Sequence, residues 1–148
     1  MIVSFLSCGK KNSSGMPERG IDPITGSDYL SLVNQYRMHL GLNSLKNLQA
    51  ITTTAYSHSD LMASGRRRFG HTGWRQRCDY LKQTIKASSC GEIVAKGQMT
   101  SADVLDSWVS SPLHREAIER PDWTHTGYAQ VFSKDGVPYW TEIFVRID

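Results

Sequence analysis

Apolar residues return every three or four positions through most of the chain and at every second position near its end, so helices are expected first and strands last. Tyr29, Val33, Tyr36 and Leu40 recur at helical spacing between Ser27 and Gly41. A serine can cap such a stripe and a glycine can stop it, which predicts a first helix. Leu48, Ile51, Ala55, His58 and Met62 form a second stripe from about Asn47 to Ser64, closed by Gly65. A short helix is expected between Cys78 and Cys90. Thr100-Ser101-Ala102-Asp103 has the form of a capping box, with Val104 and Trp108 marking the inner face of the helix it opens. Ser111 before Pro112 is a fresh N-cap with proline at the first helical position.

Near the end, Gly127 to Phe132 and Tyr139 to Val145 alternate or run apolar on either side of Ser133-Lys134-Asp135-Gly136. The Asp-Gly pair signals a hairpin, and Pro138 is tolerable at a strand entry or sheet edge. Helices followed by an antiparallel hairpin make a layered α+β domain. No internal repeat is visible, and no apolar run reaches the roughly 20 residues that a membrane-spanning helix needs.

The chain has 148 residues, within single-domain range, and a chain of this size buries about two-thirds of its unfolded surface. The net charge of +3 is mild. Between Arg66 and Lys86, however, seven Lys and Arg (66, 67, 68, 75, 77, 82 and 86) face one acid, Asp79. Such a strip is either a solvated basic loop or a surface for an anionic lipid or phosphate. No recognition motif interleaved with aromatics accompanies it, so nucleic acid is not an expected partner.

Three residues carry the chemistry. His71 lies in His71-Thr72-Gly73, Glu92 in Gly91-Glu92, and His114 in the turn Ser111-Pro112-Leu113-His114-Arg115. Imidazole and carboxylate are the groups that hold zinc or move protons near neutral pH. In the first turn of a helix, His114 would meet the positive end of the macrodipole and stay neutral. The competing reading makes His71 and Glu92 a structural pair locking two loops. His58 and Ser111 are weaker members of the set, since the first lies on an apolar stripe and the second is accounted for as an N-cap. Ser110 or Ser111 with His114 lacks an oxyanion-hole signature, which argues against a serine nucleophile.

Ala55-Tyr56-Ser57-His58-Ser59-Asp60-Leu61-Met62, Phe69-Gly70-His71, Gly91-Glu92-Ile93 and the turn from Trp108 to Arg115 stand in an order that resembles the CAP superfamily of cysteine-rich secretory, antigen-five and pathogenesis-related proteins, in its bacterial form. The resemblance covers roughly residues 28–145. It implies a three-layer α-β-α sandwich with a small antiparallel sheet between helices, occupying 27–148 after a tail over 1–26. It also implies a cleft in which His71 and Glu92 carry over directly and His114 belongs to the bacterial variant. Departures are visible. Ile93 replaces the asparagine of Gly-Glu-Asn, Ser111 stands where other members carry a glutamate, and Tyr139-Trp140-Thr141-Glu142 replaces a His-Tyr-Thr-Gln strand.

Two function classes remain. One is a non-enzymatic binding module for a lipid, glycan or protein ligand, exported and monomeric. The other is a divalent-metal hydrolase in which His71 and His114 hold zinc and Glu92 is ligand or general base. The cysteines bear on compartment. Cys78 and Cys90 form either a disulfide, the favoured reading, or a pair of thiols. Phe5-Leu6-Ser7-Cys8, followed by a polar stretch, resembles a truncated lipobox, which would make Cys8 a lipidation site and the membrane a partner. The rival is a start at Met16, without Cys8.

Overall fold

The computed structural model describes residues 23–148, with side chains described from Tyr29 onward. The expectations placed on the tail and on Cys8 lie outside the described residues. Helices α1 (Pro23–His39), α2 (Gln49–Ala63), α3 (Trp74–Ile85), α4 (Ser101–Ser110) and α5 (Pro112–Glu119) accompany strands β1 (Lys46–Asn47), β2 (Ser89–Lys96), β3 (His125–Phe132) and β4 (Pro138–Arg146).

The strands form one sheet in the order β1-β3-β4-β2. It is mixed rather than purely antiparallel, because β1 joins the edge parallel to β3. Along β4 the side chains alternate between two cores, as the two-residue period of a strand requires. Trp140 and Phe144 enter a cluster with Tyr29, Val33, Val104, Trp108 and Ile118 under α1, α4 and α5. Ile143 and Val145 enter another with Ile51, Ala55 and Leu81 under α2 and α3. Helices thus cover both faces of the sheet, giving the α-β-α sandwich. Burial on both faces explains why β4 reads as an almost continuous apolar run. Each core tryptophan satisfies its indole N–H on a carbonyl: Trp108 on Val94 at 3.2 Å, Trp123 on Ala117 at 2.8 Å and Trp140 on Gln98 at 2.7 Å.

Several boundaries differ from the sequence reading. Helix α1 begins at Pro23, so the helix overlaps the stretch assigned to the tail and Ser27 lies inside it. Leu40 is exposed, and the buried position in the last turn belongs to Arg37. Its guanidinium is held by the carbonyls of Asn43, Ile118 and Arg120. Cys78 lies within α3 rather than ahead of it. Ser59 is buried against the sheet and donates to Thr141 Oγ1 at 2.7 Å.

The α2 stripe of Ile51, Ala55, His58 and Met62 is buried as read, and the box between Thr100 and Asp103 forms in both directions. Ser111 is the N-cap of α5 with Pro112 at its first position, although its hydroxyl makes no capping bond. The β3–β4 turn closes with Gly136 N–H donating to Ser133 O at 2.9 Å, and Pro138 stands at the entry of β4.

Candidate functional site

Strand β2 is an edge strand that meets α3 on one face and α5 on the other, so its middle is where side chains from both layers converge. Glu92 stands there, turned to the α2–α3 side, with its side chain 1% exposed. A buried carboxylate at such a place needs partners. Arg77, from the first turn of α3, supplies a fork: Nε donates to Oε2 and Nη2 to Oε1, both at 2.7 Å. His71 Nδ1 lies 2.9 Å from Oε1. The acceptor is a carboxylate, so Nδ1 carries the hydrogen. Burial pushes the Glu92 carboxyl up, but the hydrogen bonds from His71 and Arg77 and the Arg77 charge outweigh it, holding the group below its ordinary value. Glu92 is therefore ionised.

His58 is the buried neighbour. Its Nε2 lies 2.7 Å from the Gly70 carbonyl and 3.9 Å from Glu92 Oε1. The carbonyl can only accept, so Nε2 carries the hydrogen and Nδ1 is a bare lone pair, which has no partner. Burial lowers the His58 pKa, the Arg77 and Arg67 charges add to this, and the Gly70 bond and Glu92 oppose it. His114, in the first turn of α5, is half-buried, and its pKa is lowered by burial and then by the charge of His71. His71 and Glu92 are thus joined directly, and His114 is close enough to His71 to feel it. Ser111, which holds the entry of α5, makes no bond to this group.

Sequence reasoning missed Arg77, placing it in the solvated basic strip. A signal was available in the chain. Arg77 precedes Cys78, and Glu92 lies two residues beyond Cys90. Cys78 and Cys90 are disulfide-bonded, with Cα atoms 6.0 Å apart. That bridge brings α3 onto β2 and sets Arg77 against Glu92.

The donor set fits a metal ion poorly. Both Glu92 oxygens are already engaged, and the guanidinium occupies the side from which a cation would approach. Among the described residues no group of three or more His, Cys, Asp or Glu is arranged to hold one.

Behind Glu92, a cleft of about 680 Å³ opens between α2 and α3, lined by Thr53, Thr54, Ser57 and His58 on one wall and by Arg67, Gly73, Gln76, Arg77 and Tyr80 on the other. No helix among the described residues is long and apolar enough to cross a membrane.

Comparison with known proteins places this geometry in context. The family model described as the cysteine-rich secretory protein family, CAP, matches residues 30–144. A Bacillus subtilis (strain 168) relative, the uncharacterized protein YkwD, is 30% identical over 119 residues, covering 78% of this chain. The chain spans only 45% of that relative's length. Among solved structures, an outer surface protein from Borrelia burgdorferi superposes with a TM-score of 0.75 at 20% identity, over 90% of this chain and all of that one. An extracellular protein containing an SCP domain, from Bacillus anthracis, gives 0.73 at 20% identity, over 92% of this chain and 45% of its own. With a family match running from α1 to β4, the chain belongs to the cysteine-rich secretory protein family.

Proposed function

We propose that this chain is a non-enzymatic binding domain working outside the cytoplasm, at the cell envelope, presenting the rim around His71, Glu92 and His114 to a lipid, glycan or protein ligand. The observation that carries this reading is that both Glu92 oxygens are engaged on a side chain only 1% exposed. Its carboxylate is ionised but held on both oxygens by Arg77 and on one by His71, within a shell that fixes loop and helix positions. A general base needs a free lone pair aimed at substrate. Glu92 instead acts as a hub that holds the His71 loop open to solvent, with the His71 side chain 50% exposed.

Three further observations support the setting. The disulfide suits an oxidising compartment. Two structural neighbours are described as an outer surface protein and an extracellular protein. The sequence Phe5-Leu6-Ser7-Cys8 resembles a lipobox, in which Cys8 would be the membrane anchor.

The test combines two measurements on protein purified without a histidine tag. Elemental analysis should find zinc well below one equivalent, and co-sedimentation with isolated cell envelopes or vesicles of envelope lipid should retain the protein. His71→Ala should weaken that retention while leaving the fold intact. Stoichiometric zinc, together with ester or peptide hydrolysis lost in both His71→Ala and His114→Ala, would overturn the reading in favour of a metal hydrolase.

A further inference from the structure

The cleft between α2 and α3 borders the His71 loop through Thr72 and Gly73, and its walls have opposite hydrogen-bonding character. On the α2 wall the hydroxyl hydrogens are spent on the helix itself. Thr54 Oγ1 donates to the Ala50 carbonyl at 2.8 Å and Ser57 Oγ to that of Thr53 at 3.0 Å. Their lone pairs remain, whereas His58, in the same lining, is almost wholly buried and its unpartnered Nδ1 is closed to solvent. This wall accepts hydrogen bonds.

The facing wall donates and is cationic. A Cβ placed on Gly73 would stand 3.1 Å from Arg67 Nη1 and 3.2 Å from Arg77 Nη1, so the two guanidinium groups converge on one point that only a glycine leaves open. Arg77 is neutralised by Glu92. Arg67 has no acidic partner among the described residues. Tyr80, half-exposed, gives the cleft an aromatic lip.

A ligand complementary to these walls carries several hydroxyl donors, a negative group and a C–H face for the ring. We propose that the cleft binds a phosphate ester of a sugar or polyol, with the phosphate on Arg67, beside the Arg77 Nη1 that already donates to the Thr72 carbonyl at 2.9 Å, and the hydroxyls on Thr54 and Ser57. The volume falls within the range of small-molecule sites. A phosphate takes the fork of an arginine in two parallel bonds, which makes Arg67 the principal determinant of affinity. The site borders the His71 loop but does not rest on the envelope reading, since its proposed contacts include none of His71, Glu92 and His114 and no anchor.

The full chain is titrated by calorimetry and amide chemical-shift mapping with glucose 6-phosphate, a short polyglycerol phosphate, glucose and inorganic phosphate. Saturable binding of at least one ester is expected, with shifts at Ser57, Arg67, Gly73 and Gln76. Tighter binding of the free ester or of the polymer identifies the source. Arg67→Ala should weaken it by about tenfold or more, Ser57→Val should weaken it without altering the melting temperature, and Arg75→Ala, an exposed arginine outside the cleft, should leave it unchanged. Inorganic phosphate binding as tightly as the esters, equal losses in Arg67→Ala and Arg75→Ala, or no saturable shift with either ester would each overturn the proposal.

Discussion

Arg77 and Glu92 are the two side chains whose separation would cost most. With Arg77 replaced by methionine, Glu92 keeps its His71 bond but remains an almost unexposed charge without the two Arg77 bonds. Breaking a buried pair from one side costs about 3–5 kcal/mol, whereas replacing both partners by neutral groups can be nearly neutral. Arg77→Met is therefore expected to lower stability to urea by about that amount, and Arg77→Met with Glu92→Gln to recover more than half of it. A loss below about 1 kcal/mol in the single variant would mean that the fork contributes little.

Glu142 is a second buried carboxyl, with the opposite sign. It lies under α1, accepting hydrogen bonds from Tyr29 and from Thr126, the latter at 2.9 Å. Burial dominates these bonds and the Arg37 charge, so its pKa is raised from 4.5 to about 7. The folded state then binds a proton that the unfolded chain releases. Its contribution to stability is fully present below pH 4.5 and is lost as the pH rises through about 7, on the order of 3 kcal/mol in all. Glu142→Gln should flatten that part of the stability–pH curve, measured by urea unfolding between pH 4 and 8. A variant whose curve parallels the wild type would place the titration elsewhere. Glu142 was not legible as buried from sequence, because burial of a charge depends on partners distant in the chain, here Tyr29 more than a hundred residues away, whereas the Arg77–Glu92 pairing was signalled only through the flanking cysteines. His71, Glu92 and His114 were named from ordered motifs, and the structure joins the first two directly.

At the scale of elements, α3 and β2 are joined by two neighbouring rungs, the Cys78–Cys90 bridge and the Arg77–Glu92 fork. The bridge closes a short loop, for which the chain-entropy model gives about 3 kcal/mol of stabilisation. Replacing both cysteines by alanine should lower stability by about that amount, and amides of α3 should lose hydrogen-exchange protection before those of β4. Protection falling uniformly would show that the bridge does not act on α3 in particular. On the opposite edge of β4, Gly127 lets α2 approach β3 closely: an added Cβ would lie 2.2 Å from the Thr52 backbone nitrogen. The α2 stripe, the α4 capping box and the terminal hairpin followed from periodicity and turn chemistry, whereas the Ser27 cap did not open α1, which begins at Pro23. Strand β2 did not, since Ser89-Cys90-Gly91-Glu92 shows no alternation, and its pairing with β4 spans the whole register from Ser89–Arg146 to Lys96–Tyr139. Two-residue β1 is too short to carry any pattern.

For the whole molecule, the layered architecture was legible from motif order, but its attachment to a membrane rests on the sequence around Cys8 alone. An apolar stub, Met1 to Ser7, runs into Cys8, and a polar stretch from Gly9 to Gly15 would hold the folded domain away from a bilayer. One acyl chain binds only marginally, whereas the two or three chains of a lipoprotein hold firmly. Expressed in the native host, the protein should incorporate a clickable fatty acid and partition into detergent, and Cys8→Ser should do neither. The same preparation tests the compartment, because exported protein should contain no free thiol at Cys78 or Cys90. Unlabelled wild-type protein in the cytosol with reduced cysteines would sink both the anchor and the envelope setting, while leaving the ester-binding cleft and the Glu142 titration to stand on their own measurements.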